Sequence, residues 1–247
     1  MKKGLLFSAC VVAISLIPTA AFAEDSTSIE SNAYVSIEKN DGSEIEKPVN
    51  PIDPTKPVKP VPEIDGEENP HPPSTKGPLS INYVSNLRFG SQKAQGNDAI
   101  YQVKPDQVMD DTDTVIEVPN YIQITDNRGS NVGWRLTVKQ NGAFKNGSND
   151  LAGTELVFTN PVLSAKSGKT ETAPTVNPTF TLTADGQEAL VMNAEAEHGM
   201  GTWTDRFGES NDQATSSVQL KIPGDSKKVA GSYKTSLTWT LSDSPQQ

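Results

Sequence analysis

The sequence predicts an all-β protein, a β-sandwich of the immunoglobulin-like or Greek-key type that follows a disordered, proline-rich arm. Short stretches of alternating apolar and polar residues recur from residue 79 onwards, which is typical of strands with one buried face. Turn-forming glycine and proline dipeptides separate them. No stretch longer than about ten residues combines helical periodicity with freedom from glycine, proline and β-branched residues.

The first residues have the pattern of an export signal. Lys2 and Lys3 precede an uncharged apolar run from Gly4 to Ile17, and Ala21-Phe22-Ala23 offers small residues for signal peptidase. The run is shorter than the roughly 20 residues that span a membrane. We therefore expect residues 1–23 to be removed, leaving a secreted chain without membrane insertion. The alternative is a lipoprotein signal with Cys10 as the lipidated residue; the apolar run continues beyond Cys10, which favours the cleaved signal.

Composition excludes several classes of partner. The formal net charge is −10, and loss of two lysines with the signal makes the remaining chain more acidic still. Such a charge argues against binding to nucleic acid or to an anionic membrane surface. Cys10 is the single cysteine, so we expect no disulfide after export and a core large enough to do without one.

The N-terminal arm divides into two parts. Residues 24–50 form an acidic segment whose one strand-like patch is Ala33 to Ile37. Residues 48–78 hold ten of the eighteen prolines, and those from Pro48 to Pro60 recur every third residue, the period of polyproline II. We interpret residues 48–78 as a spacer; a ligand for a proline-binding domain is the alternative.

Residues 79–247 are predicted to form the folded domain. Strand patterns begin at Leu79 and recur along the domain, as at 79–83, 132–138, 179–184, 188–192, 217–222 and 233–241. Asn141-Gly142 and Asp185-Gly186 favour hairpin turns because these residues tolerate positive φ. Pro223-Gly224-Asp225 marks a further turn before the last strand.

The residues offer little basis for catalysis. The sequence has no Gly-x-Ser-x-Gly elbow and no His-Glu-x-x-His zinc helix. A glycoside hydrolase remains an alternative, because the carboxylates Glu195, Glu197, Asp205 and Glu209 are close in sequence. We predict a protein that is not an enzyme and needs no cofactor.

One run of aspartates is a weak metal candidate. Asp110, Asp111 and Asp113 resemble the start of a calcium loop. They lack the glycine and the distal glutamate of an EF-hand, so we predict no metal site there.

Three tryptophans are the candidate ligand contacts. Trp134 and Leu136, and likewise Trp239 and Leu241, stand two residues apart on alternating strands, so each pair leaves one face of a sheet. We expect both pairs to pack the core; an exposed platform for sugar rings is the alternative. Trp203 follows Gly199-Met200-Gly201-Thr202, a flexible setting that predicts a ring presented at the surface.

At these residues the chain resembles the WxL-domain surface proteins of Gram-positive bacteria. The similarity includes the proline-rich spacer, Gly77 to Ile81, Trp134 to Leu136, Gly199 to Trp203, and the terminal pattern from Tyr233 to Leu241. The resemblance implies extracellular, cell-wall-associated localisation and non-covalent binding to peptidoglycan through the C-terminal domain. It also implies partnership with membrane-anchored WxL-interacting proteins and with other WxL proteins.

Charge bears on how such binding works. Residues 79–247 carry fourteen basic and nineteen acidic side chains. Because Gram-positive walls are anionic, the long-range electrostatic interaction opposes contact. Short-range terms must then dominate: stacking on sugars, hydrogen bonds to peptide stems, or a bridging divalent cation. The alternative function is an adhesin or surface-complex subunit whose main ligand is another protein.

Overall fold

The chain divides into two compact units, Met1–Ile37 and Glu38–Gln247. The computed structural model describes residues 28–64, 67–68 and 71–244. The predicted export signal, residues 1–23, lies outside this range. In the first unit, residues 28–37 are exposed and contain no strand. The strand predicted at Ala33 to Ile37 is therefore absent from the structure.

The second unit is built from antiparallel strands. Before Trp134 they are β1 (Lys59–Pro60), β2 (Glu63–Ile64), β3 (Glu67–Glu68), β4 (Leu79–Val84), β5 (Ala99–Gln102), β6 (Asp106–Met109), β7 (Val115–Val118) and β8 (Tyr121–Asp126). From Trp134 to Ala165 they are β9 (Trp134–Gln140), β10 (Phe144–Asn146), β11 (Asn149–Leu151), β12 (Glu155–Thr159) and β13 (Pro161–Ala165). The remainder are β14 (Thr175–Val176), β15 (Thr179–Thr183), β16 (Ala189–Ala194), β17 (Gly201–Phe207), β18 (Val218–Ile222) and β19 (Leu237–Ser242).

The described residues include one short helix, α1 (Asn211–Ser217). The Ser210 hydroxyl caps it by accepting a hydrogen bond from the Gln213 N–H, which satisfies one of the free donors of the first turn. Across the described part of the chain, no helix has the length and apolar character to cross a bilayer.

Three four-stranded sheets make up most of the fold. Sheet I has the order β13-β17-β8-β4, sheet II β15-β12-β18-β5, and sheet III β14-β16-β9-β19. The smaller groups are β1-β6-β7, β2-β3 and β10-β11. Apolar residues from all three large sheets join one core cluster, which includes Ile122, Trp134, Phe158 and Leu220. The all-β prediction is confirmed, whereas the immunoglobulin-like sandwich stays a prediction because the strands fall into three large sheets.

Strands occur in each of the six stretches predicted from residue 79 onwards, but their partners differ from those that the turns suggested. The chain bends at Asn141-Gly142 and turns at Asp185-Gly186, and both glycines have positive φ. The flanking strands do not form hairpins with each other, because β9 pairs with β16 and β19, while β15 pairs with β12. A turn dipeptide fixes only local chain reversal, and the buried faces then choose the partners.

The prediction of a disordered arm is wrong for Lys47–Ile64, which we call the proline segment. Val49, Val58, Val61 and Ile64 are all buried, and β1 pairs with β6. The segment also closes on itself, since the Val58 N–H donates to the Pro48 carbonyl and the Asn50 N–H to the Lys56 carbonyl, both at 2.9 Å. Valines between the prolines supply an apolar side that the three-residue proline period obscures.

The chain between the proline segment and β4 also contacts the domain. The His71 ring stacks on Tyr83, with 4.9 Å between the ring centres. The Thr75 N–H donates to the Ile81 carbonyl at 2.9 Å. The register of β4 against β8 shifts between Ile81 and Tyr83. Because such a bulge turns the next side chain to the opposite face of the sheet, Tyr83 points towards His71 and not into the main core.

Replacing Val58 by alanine is therefore expected to destabilise the domain. Val58 is 4 % exposed, and loss of its two buried methyl groups costs about 1.6 kcal/mol at about 0.8 kcal/mol per group. The melting temperature should fall by roughly 3–6 °C. Val35→Ala is the matched control, because Val35 is 87 % exposed. Equal melting of both variants and the parent would restore the spacer interpretation.

Candidate functional site

The two Trp-x-Leu motifs lie side by side in sheet III. Strands β9 and β19 are antiparallel neighbours that place Leu136 opposite Leu241 and Val138 opposite Trp239. Directly opposed residues of an antiparallel pair project from the same face. The two motifs, which are separated by about a hundred residues in sequence, therefore share a single face.

That face points into the core. Trp134 and Leu136 are fully buried at the centre of the sheet, and Trp239 and Leu241 are half-buried on its edge strand. All four pack in the main hydrophobic cluster, as the core interpretation of these pairs predicts. The alternative of an open aromatic platform does not fit Trp134, whose exposed fraction is 0 %.

Trp203 is also buried, so the expectation of a ring presented at the surface is wrong. Its exposed fraction is 2 %. Strand β17 begins at Gly201, and within sheet I Trp203 stands between Ile124 and Ala165 of the neighbouring strands. The glycines before it suggested a loop, but the alternation of Trp203 and Phe207, both core residues, was the signal for a strand.

The glycine-rich sequence before Trp203 satisfies the polar atoms of two buried indoles. The Trp134 Nε1–H donates to the Gly199 carbonyl and the Trp203 Nε1–H to the Met200 carbonyl, both at 3.0 Å. Gly199 has a φ of +78°, and a Cβ there would lie 2.5 Å from Trp134 Nε1. Only glycine permits that approach. The Gly-x-Gly-x-Trp pattern thus holds the first Trp-x-Leu motif in place, which the sequence did not reveal.

The opposite face of the motif strands is exposed to solvent and polar. We call it the outer face of sheet III, formed by the residues that alternate with the motif: Arg135, Thr137, Lys139, Thr238 and Thr240. Thr238 stands beside Lys139 and Thr240 beside Thr137. Both β19 threonines are exposed, and the β9 residues are half-buried. Side chains that stand directly opposite each other on adjacent strands form a continuous surface.

The outer face has a local positive charge. Within the described residues, neither Arg135 nor Lys139 forms an ion pair. The neighbouring carboxylate is that of Glu188, which accepts a hydrogen bond from the Thr137 hydroxyl at 3.3 Å. Two cations beside a row of hydroxyl groups can bind anionic groups and donate hydrogen bonds to a polymer lying along the strands.

A family model described as a WxL domain, surface cell wall-binding, matches residues 24–245. The chain belongs to the WxL family. It is accordingly an extracellular, cell-wall-associated surface protein. Searches of the curated proteins and of the solved structures give no match. In this WxL domain the two Trp-x-Leu motifs lie on the core side of sheet III, and the residues that alternate with them form its outer face.

The four carboxylates close to Trp203 in sequence have different surroundings in this WxL domain. Asp205 is 0 % exposed and faces the core beside Ile122 and Leu163, whereas Glu195 and Glu197 are exposed. Neither Asp205 carboxylate oxygen has a hydrogen-bond partner among the described residues. Burial raises the pKa of Asp205 to about 7; the Arg206 guanidinium and the nearby Val162 amide oppose this shift more weakly.

The aspartates considered for calcium have local structural roles in the WxL domain. The Asp110 carboxylate accepts hydrogen bonds from the Thr112 hydroxyl and from the N–H groups of Thr114 and Thr112, and these bonds lower its pKa. Asp113 pairs with Lys59 at 2.8 Å. No group of three His, Cys, Asp or Glu side chains with metal-binding geometry occurs in the described part of the chain.

Proposed function

We propose that this WxL protein binds peptidoglycan non-covalently through the outer face of sheet III, without catalysis. The carrying observation is that both Trp-x-Leu motifs pair on adjacent strands with their aromatic side in the core. The alternation of the strand leaves Arg135, Thr137 and Lys139 on the open side. The buried motif residues therefore fix the positions of β9 and β19, whose outward side chains form the proposed binding surface.

The charge of this face suits an anionic wall better than the domain as a whole. The full chain has a net charge of −10, so distant approach is unfavourable. At contact, both charged residues that β9 and β19 present outwards are basic, Arg135 and Lys139. Local ion pairs and hydrogen bonds from threonine hydroxyls then supply the attraction.

Absence of catalysis is part of the proposal. Hydrolysis of a glycan needs two accessible carboxyl groups facing the same bond. Asp205 is enclosed in the core, which removes one member of the acidic group. We expect no clearing band when the purified protein is run in a wall-containing gel.

Reversing the charge of the outer face is expected to weaken wall retention strongly. The variant Arg135→Glu/Lys139→Glu replaces two attractive contacts with repulsive ones, and each contact to a charged group contributes about 1.5–3 kcal/mol. Retention on isolated peptidoglycan should fall by at least tenfold, on the scale of about 1.4 kcal/mol per factor of ten. Pelleting at low salt measures the bound fraction.

Two controls accompany this experiment. Lys93→Glu applies one such change at an exposed position outside sheet III and should leave retention nearly unchanged. Thermal melting should show that the double variant is folded. Undiminished binding by the folded double variant would exclude this face. Retention of the parent by surface proteins but not by clean peptidoglycan would instead favour the adhesin alternative.

A further inference from the structure

The face of sheet I that points away from the main core is polar, yet it is covered. Its polar part consists of Asn82, Gln123, Thr125, Thr202, Thr204 and Arg206. Tyr83 and Tyr121 lie on the same side, in a second buried cluster that includes Val58. Thr125 donates to Asn82 at 2.6 Å and lies 2.9 Å from the Thr202 hydroxyl oxygen. Polar side chains that are buried need hydrogen-bond partners, so the polar part of this face must find them in the segment that covers it.

The cover is the proline segment, whose Val58 side chain packs with Tyr83 and Tyr121 and whose main chain binds the polar part. The Gln123 amide accepts from the Val49 N–H at 2.8 Å and donates to the Lys47 carbonyl at 3.0 Å. The Arg206 guanidinium donates to the Pro51 carbonyl at 3.0 Å. Residues 47, 49 and 51 are two apart, as on one side of an extended chain. The polar face therefore recognises backbone groups at a fixed spacing, as a peptide-binding site does.

These contacts do not depend on chain connectivity. The hydrogen-bonded residues are 74 to 155 positions apart in sequence. The proline segment closes on itself through its own backbone hydrogen bonds at Pro48 and Val58, so it can leave and dock as one piece. An identical segment from another molecule offers the same carbonyl and N–H groups.

We propose that the polar face of sheet I is a peptide-binding site at which two copies of this protein exchange their proline segments to form a reciprocal dimer. Each segment then docks on the partner's Gln123, and β1 pairs with the partner's β6. Every contact of the monomer is retained, as in domain swapping. The segment itself carries three basic and two acidic side chains between Lys47 and Ile64, so its charge does not oppose docking on an acidic partner.

A removable cross-link tests the exchange. Lys59 and Met109 are direct partners in the antiparallel pair β1-β6, and such Cα atoms lie about 4.5–5.5 Å apart, within disulfide range. The double variant Lys59→Cys/Met109→Cys, produced from residue 24 onwards, has no other cysteine. Two differently tagged populations are mixed at high concentration, warmed below the melting temperature and purified through both tags.

The reduced sample is expected to give dimers of which about half carry both tags, the statistical share for a symmetric exchange. The oxidised sample should give none, because the disulfide fixes each segment to its own domain. Gln123→Met, which removes two hydrogen bonds to the segment, should speed exchange on the order of tenfold. Thr238→Ala, on sheet III, should leave the rate unchanged.

Absence of doubly tagged protein in the reduced sample would overturn the proposal. Equal amounts in the oxidised sample would also overturn it, because association would then use another surface. Neither result bears on wall retention, which depends on sheet III.

Discussion

Replacing Trp203 by alanine is expected to lower the melting temperature by about 10 °C or more. The ring is buried in sheet I and its Nε1–H is satisfied by the Met200 carbonyl. Removal of a buried tryptophan costs about 3–5 kcal/mol, a large share of the roughly 5–15 kcal/mol that stabilises a typical domain. Wall retention should be lost only to the extent that the protein unfolds. Circular dichroism melting beside wall pelleting measures both.

Trp239→Ala is the comparison for this result. Trp239 is half-buried on the edge strand of sheet III, so its removal leaves a smaller cavity and a smaller fall in melting temperature. A Trp203→Ala protein that melts like the parent but no longer binds the wall would show that this ring contacts the ligand. That outcome would contradict its position in the core.

Asp205→Asn is expected to stabilise the protein at neutral and alkaline pH. The pKa of Asp205 is raised from 3.8 to about 7 by burial. Well below pH 3.8 the carboxyl is protonated in both states, and its burial then carries no charge penalty. As the pH rises from about 4 to 7 the unfolded state ionises first, so stability is lost, on the order of 4 kcal/mol in full at about 1.36 kcal/mol per pKa unit. Asparagine has no charge to bury.

The measurement is the difference in melting temperature between variant and parent from pH 4 to pH 8. The difference should be near zero at pH 4 and grow to about 10 °C by pH 8. Asp150→Asn, at an exposed position, should follow the parent throughout. A constant difference across this range would mean that Asp205 does not titrate between the two states as its surroundings require.

Alternation in the sequence predicted the strands well but not their partners. The apolar residues of β9 and β19 gave the strand type and the buried face, because side chains in a strand alternate with a period of two. The pairing of these strands joins residues about a hundred positions apart, and no local pattern carries that information. The same limit explains why the turns at Gly142 and Gly186 were located correctly without forming hairpins.

Composition misled the predictions at two places. The prolines of the proline segment and the glycines around Trp203 both suggested flexible chain. In each case buried contacts outweigh local preference: valines anchor the first, and the carbonyls of Gly199 and Met200 hold two indoles at the second. The outer face of sheet III was equally hidden, since threonine, arginine and lysine between apolar residues read as ordinary solvated positions.

The back-to-back arrangement of sheet III also bears on how such proteins diverge. Successive residues of β9 and β19 point to opposite faces of the sheet. The residues on the inner face are constrained by core packing, whereas those on the outer face are constrained only by solvent and by any bound ligand. Substitutions at Arg135, Thr137, Lys139, Thr238 and Thr240 can therefore accumulate while every tryptophan and leucine stays in place. Under the proposed function, two homologues with identical Trp-x-Leu motifs can differ in the polymer that they prefer. A library randomised at these five positions would then sample new specificities on an unchanged scaffold.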